Sequence, residues 1–254
     1  MNILIVLGAV LIGLSLGLLG SGGSIITVPL LIYVADEPAK LAIAESLFIV
    51  GCISAFGSLS YIKRGLVSWK FVMLFGVPSM FGTYLGAWTS QYVSGVLQLL
   101  TFSIVMLIAS RSMFSPLTSG SNTASPPRKL FVISAGILVG ALAGFVGVGG
   151  GFLIVPALFL LGKLDFKQAI GSSLIIITMQ SLIGYLKYQD VLEQFALVMN
   201  WKTVAVIVCA GILGSMLGVR IADKIPQQKI RKLFALVLVI LGIYILGTSI
   251  YDIL

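Results

Sequence analysis

The sequence predicts an all-α polytopic membrane protein built from two inverted repeats, each a broken-helix hairpin followed by three transmembrane helices. Three observations predict it. Of the 254 residues, 59% are hydrophobic and only 9% are charged, where soluble domains carry about 25% charged residues. A glycine-rich stretch at 17–29 returns at 144–156. The lysines and arginines gather on one side of a membrane in only one reading of the chain's path.

Apolar runs fall at about 3–34, 41–62, 69–90, 94–112, 130–161, 168–186, 200–222 and 233–251. One span needs about 20 residues. The first and fifth runs are too long. As a straight helix, 3–34 would extend roughly 48 Å at 1.5 Å per residue, beyond a hydrocarbon core of about 30 Å. Each is interrupted near its middle by Gly17-Leu-Leu-Gly-Ser-Gly-Gly23 or Gly144-Phe-Val-Gly-Val-Gly-Gly150. Clustered glycine breaks a helix because it carries a high backbone-entropy cost there.

The duplication extends past the glycines. With a shift of 127, Val28 and Pro29 meet Val155 and Pro156, and Ala42 and Ser46 meet Ala169 and Ser173. Tyr61-Ile-Lys63 pairs with Tyr185-Leu-Lys187 after a small gap, and Trp69-Lys70 with Trp201-Lys202. Gly82 and Gly86 correspond to Gly214 and Gly218, a spacing that lets helices approach closely in lipid. The first repeat is 1–114, the linker 115–129 and the second repeat 130–254. The linker is polar and proline-bearing, a flexible connection rather than a site.

Charge selects the topology. If each broken segment crosses once, the basic residues divide evenly between the two faces. If each is a hairpin, one face holds Lys63, Arg64, Lys70, Arg111, Arg128, Lys129, Lys163, Lys167, Arg220, Lys224, Lys229, Arg231 and Lys232. The other holds Lys40, Lys187 and Lys202. The positive-inside rule then puts the linker in the cytoplasm and both termini outside, with the chain a multi-pass protein of the cell (inner) membrane. The N-terminal run has no basic residue before Asp36 and has an internal counterpart, so it reads as mature structure and not as a signal peptide.

Several classes are excluded. The net charge of +8 lies in loops between spans and forms no basic patch on a soluble fold, so nucleic acid is not a partner. There is no histidine and no metal-ligand cluster, so no metal or cofactor is expected. Cys52 and Cys209 lie in apolar runs and read as packing residues. Trp69 and Trp201 read as interface anchors. No catalytic constellation or phosphate-loop context is present, so the chain is not an enzyme.

A broken helix exposes amide donors at membrane depth, where protein or a water-filled cavity must satisfy them. The helix that restarts after the break points a positive N-terminus into that cavity. Two such ends make an anion site near the midplane, the pattern of secondary transporters. The candidate site residues are Gly20, Ser21, Gly22, Gly23, Ser24 and Thr27 in the first half, and Gly147, Gly149, Gly150, Gly151, Ser172 and Ser173 in the second. Glu45, the one carboxylate within an apolar run, is the candidate for coupling to a proton or cation. The expected partners are a small anion and the lipid bilayer, with homo-oligomerisation left open.

The paired GxxGxGG-x5-P pattern at Gly17–Pro29 and Gly144–Pro156 resembles the sulfite exporter TauE/SafE family, and the resemblance extends over essentially the whole chain. It implies transport of small sulfur-containing oxyanions, such as sulfite or organosulfonates like sulfoacetate, with export favoured and alternating access as the mechanism. The alternatives are an anion channel of the same fold, or uptake of a small organic anion by cation coupling. A scaffold has no use for two broken helices. In this chain the second glycine group reads Gly149-Gly-Gly151 where the first ends in Ser24, so the halves are expected to contribute unequally.

Overall fold

The computed structural model describes residues 3–21, 23–114, 129–147, 151–162, 164–222, 224 and 227–251. All but the last residue of the expected linker lies outside them. The described residues form helices α1 (Ile3–Leu19), α2 (Gly23–Tyr33), α3 (Ala39–Lys63), α4 (Trp69–Ser90) and α5 (Gly95–Phe114). The second half repeats the series as α6 (Lys129–Val146), α7 (Gly151–Gly162), α8 (Phe166–Gln194), α9 (Trp201–Ile221) and α10 (Gln227–Tyr251). No strand occurs among the described residues. Five helices, α3, α4, α6, α8 and α9, are long and apolar enough to cross a membrane. Large apolar side chains such as Leu11, Phe81, Leu213 and Ile243 are exposed on the outer faces, where lipid replaces water as the solvent.

The two overlong apolar runs are broken where the glycines predict. α1 has 17 residues and α2 has 11, roughly 25 Å and 17 Å at 1.5 Å per residue. Gly23 at the start of α2 packs on Ile12 and Leu16, and Gly8 near the start of α1 packs on Leu30. The two arms therefore run antiparallel and form a hairpin. At 11 and 12 residues, α2 and α7 are each too short to cross a core of about 30 Å.

The first helix of each half packs against the fourth helix of the other. Gly13 and Gly17 of α1 face the carbonyls of Gly211 and Ser215, and Gly214 and Gly218 of α9 face those of Val10 and Leu14. In the same way Gly82 and Gly86 of α4 face Ile137 and Ala141, and Gly140 and Gly144 of α6 face Ser79 and Thr83. Both pairs run parallel, since numbers rise together along each seam. A Cβ at any of these glycines would overlap the opposing backbone. Small residues bring the backbones close enough for dispersion and Cα–H···O contacts, which hold helices together where no hydrophobic effect operates between them.

The third helices cross at the centre. Gly51 packs on Ser181, Gly57 on Leu174 and Gly184 on Leu47. Numbers rise on α3 as they fall on α8, so these corresponding helices are antiparallel. Tyr61 near the end of α3 donates to the carbonyl of Gly17 near the end of α1 (3.0 Å), which makes α1 and α3 parallel. That is the direction a hairpin requires. α5 and α10 pair at the side, with Gly242 against Leu107.

One expected correspondence is revised. Tyr188, not Tyr185, takes the place of Tyr61: its hydroxyl donates to the carbonyl of Phe145 in α6 (3.2 Å). Tyr185 instead packs on Phe48. The gap introduced to match the Tyr-x-Lys tripeptides is unnecessary, because the tyrosine that reaches the hairpin lies 127 residues on.

Candidate functional site

Each hairpin turns on a glycine with positive φ: Gly20 at 66° and Gly147 at 76°. Each amide closes the preceding helix, Gly20 N on Leu16 O (2.8 Å) and Gly147 N on Ala143 O (2.9 Å). A left-handed residue after the last helical one is a standard stop, and glycine adopts it at little cost. The motif glycines thus have two jobs. Gly17 and Gly144 let helices pack, whereas Gly20 and Gly147 turn the chain.

The turns are held by the opposite half. Ser173 Oγ donates to Gly20 O (2.8 Å) and lies equally close to Ile170 O. Ser46 Oγ is bonded in the same way to Gly147 O and Ile43 O. Around Gly20 pack Ile170 and Ser173, and around Gly147 packs Ile43. Each third helix therefore clasps the other half's hairpin. The tips also meet each other: a side chain at Gly151, the first residue of α7, would come 3.0 Å from the Cα of Ser21. The starts of α2 and α7 converge here, so two positive helix ends lie close together.

The expected site residues divide into groups. Gly20, Ser21, Gly147, Gly151 and Ser173 are brought together at the tips and clasps, and Gly23 opens α2 beside them. Gly22, Gly149 and Gly150 lie outside the described residues, as does the side chain of Ser24. Thr27 is fully buried and donates to Gly23 O (2.9 Å), so its proton is used within its own helix. Ser21 Oγ donates to Leu19 O (3.3 Å). Ser172 accepts from Ser68 N in the α3–α4 loop (2.8 Å), and so anchors that loop rather than a hairpin.

Glu45 is fully buried near the start of α3. Its Oε1 accepts from the backbone amide of Asn200 (2.9 Å) at the entry of α9, and Asn200 in turn caps that helix through Thr203 N. Glu45 Oε2 has no hydrogen-bond partner among the described residues. Among those residues, no three Cys, Asp or Glu side chains are placed to hold a metal ion.

Polar groups that the sequence reading did not single out gather on the third helices. Ser54, Gln180 and Ser181 are fully buried, and their side-chain polar atoms have no partner among the described residues. Ser181 lines a cleft of about 180 Å³ between α3 and α8, together with Leu47, Gly51, Cys52 and Thr178. A search for uncharged polar residues in mid-span would have found Gln180. The repeat of Ser54 at Ser181 was visible at the same 127-residue shift.

Comparison with known proteins agrees with this architecture. The chain is 31% identical to a probable membrane transporter protein of Xylella fastidiosa over 94% of its own length and 92% of the relative's. It is 28% identical to the probable membrane transporter protein YunE of Bacillus subtilis over 98% of each chain. A probable membrane transporter protein of Methanocaldococcus jannaschii is 24% identical over 93% of this chain and 94% of the relative. No solved structure matches the chain. The model of the sulfite exporter TauE/SafE family matches residues 5–245. With that match over nearly its whole length, and with broken and crossing helices of a multi-pass membrane protein, the chain belongs to the sulfite exporter TauE/SafE family and is a membrane transporter, not an enzyme.

Proposed function

We propose that the chain is a secondary transporter of small sulfur-containing oxyanions, sulfite or an organosulfonate such as sulfoacetate, and that it works by alternating access. The observation that carries this reading is the approach of the two hairpin tips at Gly151 and Ser21. The restarting helices α2 and α7 supply amide donors and positive ends where an anion would be held. The antiparallel run of α3 and α8 supports inverted repeats, 1–114 and 130–254 joined by the linker 115–129. With the basic residues inside, the linker is cytoplasmic and both termini lie outside the inner membrane. Export rests on the family resemblance; an inside-negative potential would drive anion efflux by itself, whereas uptake would need a co-transported proton or cation.

Glu45 is the coupling group in this reading. Its buried carboxylate, held by Asn200 N at one oxygen, keeps the second oxygen for a proton or a small cation. The substrate residues are Gly20, Ser21, Gly22, Gly23, Ser24, Gly147, Gly149, Gly150 and Gly151, with Ser173 acting through the turn it holds. Thr27, bonded to Gly23 O, and Ser172, bonded to Ser68 N, brace the surrounding helix and loop.

Proteoliposomes containing the purified protein test the function. Saturable counterflow of labelled sulfite is the expected result. Current that rises with sulfite concentration without saturating would make the protein a channel, and absence of any flux would remove the reading. In a background lacking Cys52 and Cys209, Ser119→Cys is expected to label only from the cytoplasm and Tyr251→Cys only from outside. Labelling of both from one side would restore parallel repeats.

A further inference from the structure

Gln180 lies near the middle of α8, fully buried, and neither its Oε1 nor its Nε2 has a partner among the described residues. It shares a side of the helix with Ser173, Ile177 and Gly184, its neighbours at seven, three and four positions respectively. Ser173 holds the carbonyl of Gly20. Ile177 packs on Gly151, and Gly184 lies against Leu47 and Thr83. Gln180 therefore sits one turn from the place where the two hairpin tips meet. Its counterpart in the first half is Ile53, which packs on Gly211 without a polar group. At the crossing of α3 and α8, the corresponding hydroxyls of Ser54 and Ser181 also have no partner among the described residues.

A primary amide needs both an acceptor for its NH2 and a donor for its oxygen. Left unpaired in an apolar surrounding, it bears its full desolvation cost. Exchanging the two ends of the amide changes nothing here, since neither has a partner among the described residues. Whatever satisfies Gln180 must therefore offer an acceptor and a donor together.

We propose that Gln180 is the residue that reads the transported anion, and that it selects a sulfur oxyanion carrying a hydroxyl. The inference rests on the oxyanion-transport reading above. Nε2 donates to an anionic oxygen of the ligand, and Oε1 accepts from the ligand's hydroxyl. A fully deprotonated oxyanion such as sulfate presents only acceptors and sets a lone pair against Oε1. Hydrogen sulfite or a hydroxysulfonate satisfies both ends. Sulfoacetate, which carries no hydroxyl, presents only acceptors, so the substrates proposed above narrow to those with a hydroxyl. Sites built to hydrogen-bond a ligand hydroxyl reject the analogue lacking it far better than apolar sites reject an added one, because their own buried group is left unpaired.

A matched pair of ligands tests this at one pH: 2-hydroxyethanesulfonate and ethanesulfonate, monoanions that differ in the hydroxyl. Titration calorimetry on the full-length protein in nanodiscs is expected to give the hydroxylated ligand a Kd lower by about tenfold or more. Gln180→Met is expected to shrink that preference to about twofold by weakening the hydroxylated ligand alone. Its ligand-free unfolding temperature should be no lower than wild type, because the variant removes a buried polar group that has no partner among the described residues. A variant that keeps the full preference overturns the inference. So does wild-type protein that binds the two sulfonates equally, a result that needs no variant to fold. Wild-type protein that binds neither sulfonate, nor sulfite in the same titration, removes the oxyanion reading and the inference with it. Binding without discrimination removes the inference alone.

Discussion

Helices α3 and α8 stand in corresponding places in the two halves, and comparing them separates framework from chemistry. Where they hold the hairpins they are alike. Ser46 and Ser173 grip the turns at Gly147 and Gly20, Tyr61 and Tyr188 reach the ends of α1 and α6, and Gly57 and Gly184 admit Ser215 and Thr83. Where they carry groups that could act on a ligand or proton they differ. Glu45 in α3 is matched by Ser172 in α8, and Ile53 by Gln180. A symmetric frame thus surrounds an asymmetric set of polar groups. The frame is under packing constraint from both halves, whereas a single bound anion has no twofold symmetry to match.

The largest effect is expected at the shared turns. Gly20→Val and Gly147→Val place a β-branched residue at positive φ, which alone costs about 1–3 kcal/mol, and also overlap Ile170 and Ile43. Both should lose most folded protein and all transport, measured as thermal unfolding in lipid and as flux. Tolerance of one and not the other would break the equivalence of the two hairpins.

A smaller effect, and an unequal one, is expected where the helices differ. Glu45→Leu leaves the amide of Asn200 without its acceptor, a loss of about 1–3 kcal/mol to be read from chemical denaturation. Ser172→Ala, at the matching position, removes a bond to a part-buried amide and should cost only about 0.5–1.5 kcal/mol. Glu45→Gln keeps an acceptor for Asn200 N and should fold normally. If Glu45 carries the coupling proton, this variant flattens the pH dependence of flux and leaves counterflow intact. An unchanged pH profile would make Glu45 a brace for α9 and nothing more.

Ser46→Ala and Ser173→Ala should each cost about 0.5–1.5 kcal/mol, and by similar amounts. The double variant should match their sum to within about 0.5 kcal/mol, as they share no partner. A strongly non-additive result would mean that the hairpins move together. The smallest effect is expected at Lys187, which has no counterpart at Ser60 and pairs with the exposed Asp190. Lys187→Met should change stability by less than about 1 kcal/mol.

Much of the site's framework was legible in the chain. The breaks at Gly20 and Gly147 follow from run length against bilayer thickness, and the hairpin direction of the first break follows from where the basic residues must lie. The motif's packing glycines were less legible. Gly17 and Gly144 carry the same letter as Gly20 and Gly147, and only their partners distinguish a close helix contact from a turn. Gln180 was passed over because an amide in an apolar run carries no charge to mark it. Its meaning lies in burial without a partner among the described residues, and burial belongs to the neighbours.

The sequence by itself determined the class and the broken segments, and it displayed the duplication as a repeat shifted by 127 residues. The class and the breaks follow from the cost of placing charge or unpaired backbone in hydrocarbon, and that cost is paid locally along the chain. Only the tertiary structure decided that α1 packs on α9 and α4 on α6, that each third helix clasps the opposite hairpin, and that Gln180 is enclosed beside the hairpin tips. In lipid, helices of equal hydrophobicity have no transfer free energy to tell one partner from another. The choice is made by which small-residue faces fit and which buried hydroxyl finds which carbonyl, and those matches exist only once the helices have met.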